Sequence, residues 1–171
     1  GHDPSRTRPL LDHPDSPENQ IHSPDGGIPR GDMAAACERY EKQIAEAGGI
    51  DLQILGIGRT GHIGFNEPGS SRRSGRRLIH LDRVTRLDAI KDFQSEELVP
   101  RTAVTMGVKT ILQARRIVIM AFGEHKAAIV ARSVEGGGSA EVTATLLQDH
   151  EDCLLVLDQA AGIVIALLVA L

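Results

Sequence analysis

Residues 55–71 read LGIGRTGHIGFNEPGSS, and the way this stretch continues the apolar run before it decides the fold. Leu52 to Ile57 alternate little between apolar and polar, which predicts a strand buried on both faces, and Gly56, Gly58 and Gly61 stop it. The loop that follows therefore lies at a strand's carboxyl end. In open α/β sheets that edge is where ligands bind, because loops converge there on a crevice while the strands hold them rigid. His62 is the one side chain of the stretch that trades a proton near neutral pH, and Glu67 is placed to orient or charge-tune its ring. Asn66 adds an amide donor and acceptor. Hydrogen-bonded loop residues without chemistry can show the same spacing. A zinc site needs further ligands, and neither H-E-x-x-H nor a paired-cysteine motif accompanies them, so no metal is expected.

Outward from the loop the chain alternates helices and strands. Asp32 can cap a helix whose apolar positions Met33, Cys37, Tyr40 and Ile44 follow three- and four-residue steps, and Gly48 with Gly49 ends it. Arg77–Leu81 and Ala103–Val108 read as strands, with Thr85–Phe93 helical between them and Thr110–Ala114 a short helix after. Ile117–Phe122 is the clearest strand. Gly123 then turns the chain into a helix over residues 124–134, and Cys153–Leu157 supplies a last core strand. Such alternation predicts a layered, mostly parallel, Rossmann-like α/β sheet flanked by helices. Residues 1–31 read as a surface connecting segment, 32–161 as the α/β domain and 162–171 as an apolar tail.

Composition bounds the function. A chain of 171 residues is one ordinary domain. Nineteen basic against 23 acidic residues, a net charge of -4, give no global attraction to nucleic acid, and the short basic cluster Arg72, Arg73, Arg76 and Arg77 sits in a chain with only 2% aromatic residues for base stacking. Neither nucleic acid nor membrane is expected as a partner. The tail GIVIALLVAL is half the length of a span, and its lack of charge calls for burial or for a second chain. Cys37 and Cys153 have no paired spacing and read as buried free thiols, which with the lack of a signal peptide suggests a reducing, cytoplasmic setting.

The run GIGRTGHIGFNEPGSS, residues 56–71, resembles the signature of the glucosamine-6-phosphate deaminases, G-x-G-x-D-G-H-I-x-F-N-E-P. The related 6-phosphogluconolactonases share its G-H core and lack the F-N-E-P continuation, which is intact here from Phe65 to Pro68. Further family-like segments follow in order: TRLDAIKDF from Thr85, AVTMGVKTILQARRIVIM from Ala103, GEHKAAIVARSVEGG from Gly123, TLLQDH from Thr145 and LDQAA from Leu157. The resemblance covers roughly residues 14–161. It implies an enzyme that needs no cofactor and converts an amino-sugar 6-phosphate to fructose 6-phosphate and ammonia. His62 would assist ring opening, Glu67 would orient and charge it, and Gly56, Gly58, Gly61 and Asn66 would line the sugar. Lys126, at the start of a helix where free N–H groups already favour anions, matches the family's phosphate lysine. Lys91 stands where relatives have a phosphate-binding arginine, keeping the charge and losing the fork. Arg77 matches an arginine that in some relatives holds an allosteric phosphate between subunits, so a homo-oligomer is compatible with the resemblance.

Two departures temper that expectation. Relatives carry an amino-terminal third with a phosphate loop and a proton-transferring aspartate, and neither is found in this sequence. Inside the signature, Thr60 replaces the aspartate of a three-member relay, and threonine cannot act as a carboxylate. The Arg59-Thr60 pair resembles a subgroup of longer, deaminase-like proteins. The alternatives are a noncatalytic sugar-phosphate-binding module, an isomerase for galactosamine 6-phosphate, or a hydrolase like 6-phosphogluconolactonase.

Overall fold

A computed structural model describes residues 20–23, 25 and 27–165. The first nineteen residues and the last six, which hold most of the expected connecting segment and of the apolar tail, lie outside the described residues. The expected opening helix is found as α1 (Met33–Glu46), which buries Met33 and Cys37. Asp32 occupies its N-cap position, but its side chain makes no cap hydrogen bond, because a single 3-10 turn over Arg30–Asp32 already leads the chain in. Gly48 and Gly49, both at positive φ, end the helix and reverse the chain into β1 (Leu52–Gly56).

β2 (Arg77–His80), α2 (Arg83–Phe93), β3 (Thr102–Thr105) and α3 (Val108–Leu112) follow, then β4 (Arg116–Ala121), α4 (Ala127–Glu135), β5 (Cys153–Leu157) and the short α5 (Gln159–Gly162). The parallel sheet is three-stranded in the order β1-β4-β5, with Leu55 level with Ile119 and Ile119 with Leu155. β2 and β3 are not part of it; they form a separate antiparallel pair, Arg77 opposite Thr105 and His80 opposite Thr102. Their shortness and half-burial fit a ribbon that leads the chain to and from α2 rather than a central strand. Helix α4 is preceded by a 3-10 turn, Glu124–Lys126, so Lys126 stands just before the helix rather than inside its first turn.

One face of the parallel sheet is the core. Leu55, Ile57, Ile117, Ile119 and Ala121 pack in a single cluster with Ile111 of α3 and Ile129 and Val130 of α4. The opposite face is open: Leu52, Ile54 and Leu154 are each about half exposed. The expectation that β1 is covered on both sides is therefore not met among the described residues, where β1 is an edge strand and Leu52 and Ile54 stay half exposed. Cys37 is buried and free; Cys153 is free and half-buried, and burial raises both thiols above their ordinary pKa.

A further buried segment, in which the sequence showed family-like residues from Thr145 but no element, precedes β5. Val142 to Leu147, most of it in a 3-10 helix over Thr143–Asp149, is covered throughout and packs under the signature loop. Ala144 N donates to the Gly61 carbonyl at 2.9 Å, and Gly69 N to the Ala140 carbonyl at 2.8 Å.

Candidate active site

The signature loop closes on itself as it leaves β1. Gly58 N donates to the His62 carbonyl and Gly61 N to the Gly58 carbonyl, while Ile63 bridges back to Ile57 and forward to Asn66. Three glycines permit this path for different reasons. Gly61 and Gly64 take positive φ. Gly58 lacks a Cβ where the His62 ring lies, so any side chain there would displace the imidazole.

The loop forms one wall of an open cleft of about 640 Å³ at the carboxyl end of β1, lined by Gly56, Gly58, His62, Phe65, Asp88 and Lys126 among others. His62 Nδ1 lies 2.6 Å from the Gly64 carbonyl oxygen. A carbonyl only accepts, so Nδ1 carries the hydrogen and, in the neutral ring, Nε2 carries the lone pair. Nε2 is the ring atom nearest the point where a side chain on Gly58 would begin. Lys126 reaches the same corner from the turn after β4, and its Nζ donates to the Ile57 carbonyl at 2.8 Å. Burial pushes this ammonium below the ordinary lysine pKa, as do Arg59 and Lys91, while Asp88 pushes it back up. Imidazole and ammonium thus lie against two neighbouring residues, Gly58 and Ile57.

Other expected site residues take different places. Asn66 is fully buried: its Nδ2 donates to the Ile63 and Met106 carbonyls, and its Oδ1 accepts from Arg77. It clamps the loop to the segment after β3 and has no face toward the cleft. Gly61 is buried against Val142 and Ile129, so it too is part of the packing rather than of the cleft wall. Glu67, 6% exposed, accepts from Thr60 Oγ1 at 3.1 Å through Oε2 and from Asp82 N at 3.1 Å through Oε1. The hydrogen bond that fixes the His62 ring comes from Gly64, not from Glu67. Thr60 can donate to that carboxylate, where an aspartate would have set two negative groups together.

The arginine cluster is dispersed. Arg77 donates to Asn66 Oδ1 and Ser70 Oγ, so its fork is directed at the signature loop, and burial lowers its pKa. Arg76 lies over the Tyr40 ring with its Cζ 3.7 Å from the centroid, and Arg72 pairs with Asp149 at 2.6 Å. Lys91 is exposed on α2, within electrostatic reach of Lys126. Sequence reasoning passed over Thr85 and Asp88, which reach the cleft from α2 together with Ala89 and Asp92. Their i, i+3, i+4, i+7 spacing was the available signal, but a polar stripe of that period ordinarily marks a solvated face. No cluster of three or more His, Cys, Asp or Glu side chains suited to a metal occurs among the described residues. Nor is any helix among them long and apolar enough to cross a membrane.

The family model for glucosamine-6-phosphate isomerases and 6-phosphogluconolactonases matches residues 5–156. The chain belongs to this family. It is 44% identical over 153 residues to a glucosamine-6-phosphate deaminase of Shewanella woodyi, a match that covers 90% of this chain and 57% of the relative. It is also 44% identical to a glucosamine-6-phosphate deaminase-like protein of Bacteroides thetaiotaomicron, of which it covers 23%. The solved structure of a monomeric glucosamine-6-phosphate deaminase superposes with a TM-score of 0.88 at 37% identity, over 93% of this chain and 66% of that one. The α/β fold is thereby shared with that family member, and this chain spans a little over half the length of the Shewanella relative.

Proposed function

We propose that this chain forms the phosphate-holding and ring-opening part of a glucosamine-6-phosphate deaminase, the activity that releases ammonia and leaves fructose 6-phosphate. The observation that carries the reading is the convergence of His62 Nε2 and Lys126 Nζ on Gly58 and Ile57 at the carboxyl end of β1. Lys126 gives the phosphate a fixed cation, and partial burial strengthens its attraction for an anion. His62, with its Nδ1 hydrogen held by the Gly64 carbonyl, presents a lone pair that can take the hydroxyl proton of the closed sugar and return one to the ring oxygen. Gly56 leaves backbone open to the sugar, and Gly58 makes room for the His62 ring. Proton transfer between the first two sugar carbons needs a carboxylate base that these residues do not supply. The isolated chain is therefore expected to bind an amino-sugar phosphate without sustained turnover.

A second reading, a sugar-phosphate-binding module without catalysis, is favoured by Thr60 and by the absence, among the described residues, of a carboxylate hydrogen bond to the His62 ring. The two separate in one experiment. Glucosamine 6-phosphate is titrated into the chain by calorimetry, and ammonia release is then followed in a protein that continues beyond this chain to the length of its relatives. Binding that is weakened at least tenfold by Lys126→Gln, with ammonia released by the longer protein and abolished by His62→Gln, supports the deaminase. Binding with no ammonia from the longer protein establishes the module. Failure of the chain to bind any sugar phosphate removes both.

A further inference from the structure

Helix α2 turns one face to the cleft, with Thr85, Asp88, Ala89 and Asp92 all lining it. Thr85 is 7% exposed, and its Oγ1 finds no hydrogen-bond partner among the described residues. One turn further along, Asp88 is gripped by Arg59 at two points: Nε to Oδ2 at 2.9 Å and NH2 to Oδ1 at 2.5 Å. This is the parallel two-bond geometry by which a guanidinium takes a carboxylate or a phosphoryl group. Arg59 follows Gly58 in the chain and reaches the cleft through Asp88, and both partners are about two-fifths exposed, so water screens the pair and it opens at little cost.

Asp88 is also the shared counter-charge of this corner. Arg59, then Lys126 and His125, hold its carboxyl below the ordinary range against a desolvation that raises it. Among the described residues Asp88 is the negative charge that favours the Lys126 ammonium, against burial, Arg59 and Lys91. Several cations thus crowd around one single-charged carboxylate at the mouth of a cleft whose proposed ligand is an anion.

We propose that Asp88 stands in for the substrate's phosphate, and that Arg59 exchanges the carboxylate for the incoming phosphoryl group to become a third cation of the phosphate site beside Lys126 and Lys91. This rests on the reading above that places phosphate at Lys126. The exchange is favourable because a phosphate monoester near neutral pH brings close to two charges and three acceptor oxygens against one charge and two oxygens from Asp88. It also restores the fork that Lys91 cannot provide. Asp88 then sets selectivity: a ligand with a single negative charge gains too little to displace it.

The test is calorimetric titration of the chain with inorganic phosphate and with glucosamine 6-phosphate, using wild type, Arg59→Gln, Arg59→Lys, Asp88→Asn and Lys126→Gln, each checked for an unchanged thermal midpoint. Asp88→Asn is expected to bind both probes about fivefold tighter, and Arg59→Gln about tenfold weaker, with Arg59→Lys between that variant and wild type. If Arg59→Gln and Asp88→Asn bind as wild type while Lys126→Gln is weakened, the exchange is wrong and the phosphate site at Lys126 stands. Weaker binding by Asp88→Asn would likewise overturn the exchange, since the carboxylate would then support the ligand. If wild type and Asp88→Asn take up neither probe, the phosphate site itself is wrong.

Discussion

Asn66→Ala tests whether the signature loop is held as the structure shows. The side chain is completely buried and its amide is fully used, with Nδ2 2.8 Å from the Met106 carbonyl and 3.0 Å from that of Ile63, and Oδ1 2.9 Å from Arg77. Two neutral hydrogen bonds contribute about 1 kcal/mol each, and the bond to a guanidinium about 2 kcal/mol. Removing all three takes one partner each from two carbonyls and a half-buried cation that keep another, the Ile63 carbonyl the backbone N–H of residue 66, the Met106 carbonyl Thr105 Oγ1 and Arg77 the Ser70 hydroxyl, so the summed net loss is about 4 kcal/mol. For a chain of this size that lowers Tm by roughly 10 °C. With no tryptophan and a single tyrosine, unfolding is best followed by far-ultraviolet circular dichroism in urea. Arg77→Ala in the same background should show a coupling of about 1.5 kcal/mol with Asn66→Ala. A loss below about 1 kcal/mol for Asn66→Ala would refute the clamp and return Asn66 to the role of a cleft-facing amide.

Three further outcomes are expected. Gly58→Ala forces a Cβ into the His62 ring, so it should lower affinity for glucosamine 6-phosphate with a smaller effect on Tm, whereas Gly61→Ala, at φ 81° and against Val142, should lose about 2 kcal/mol of stability in urea. Equal losses of stability for both would contradict this. Ile117→Ala removes a side chain with no exposure and should lose about 3 kcal/mol, while Leu154→Lys on the open face should change stability by less than about 0.5 kcal/mol; the reverse order would mean that the sheet faces are misassigned. Because burial holds Lys126 below its ordinary pKa of 10.5, the unfolded chain binds more protons between the folded value and 10.5. Stability from this group therefore rises with pH across that window, and Lys126→Met should flatten the rise in urea midpoints measured there. An unchanged slope would show that Lys126 titrates as an exposed lysine.

Much of the architecture is legible along the chain. The three- and four-residue steps of Met33, Cys37, Tyr40 and Ile44 mark α1, and the apolar run of Ile117 to Phe122 marks β4, because periodicity reports which way a side chain faces. The signature likewise gives the family and puts His62 at the end of β1. Periodicity does not report what lies against a face. Leu52 and Ile54 read as core and are half exposed, since the number of layers over a strand is a property of the whole assembly. The antiparallel pairing of β2 with β3 is likewise a long-range choice that neither strand's own residues declare.

Within the site, the sequence by itself determined which groups are available: an imidazole, a lysine before a helix, glycines that let a loop double back, and Thr60 in place of a carboxylate. Only the tertiary structure decided how they are used. Asn66 and Glu67 sit in the signature beside His62, yet one faces Met106 and Arg77 and the other Thr60 and Asp82. Asp88, 26 positions after His62, lines the same cleft. The physical reason is that a hydrogen bond needs a partner within about 3 Å and in line, and side chains distant in sequence meet that condition only after the core has set the backbone. Residue type fixes which bonds a group can make, and packing fixes which ones it does make.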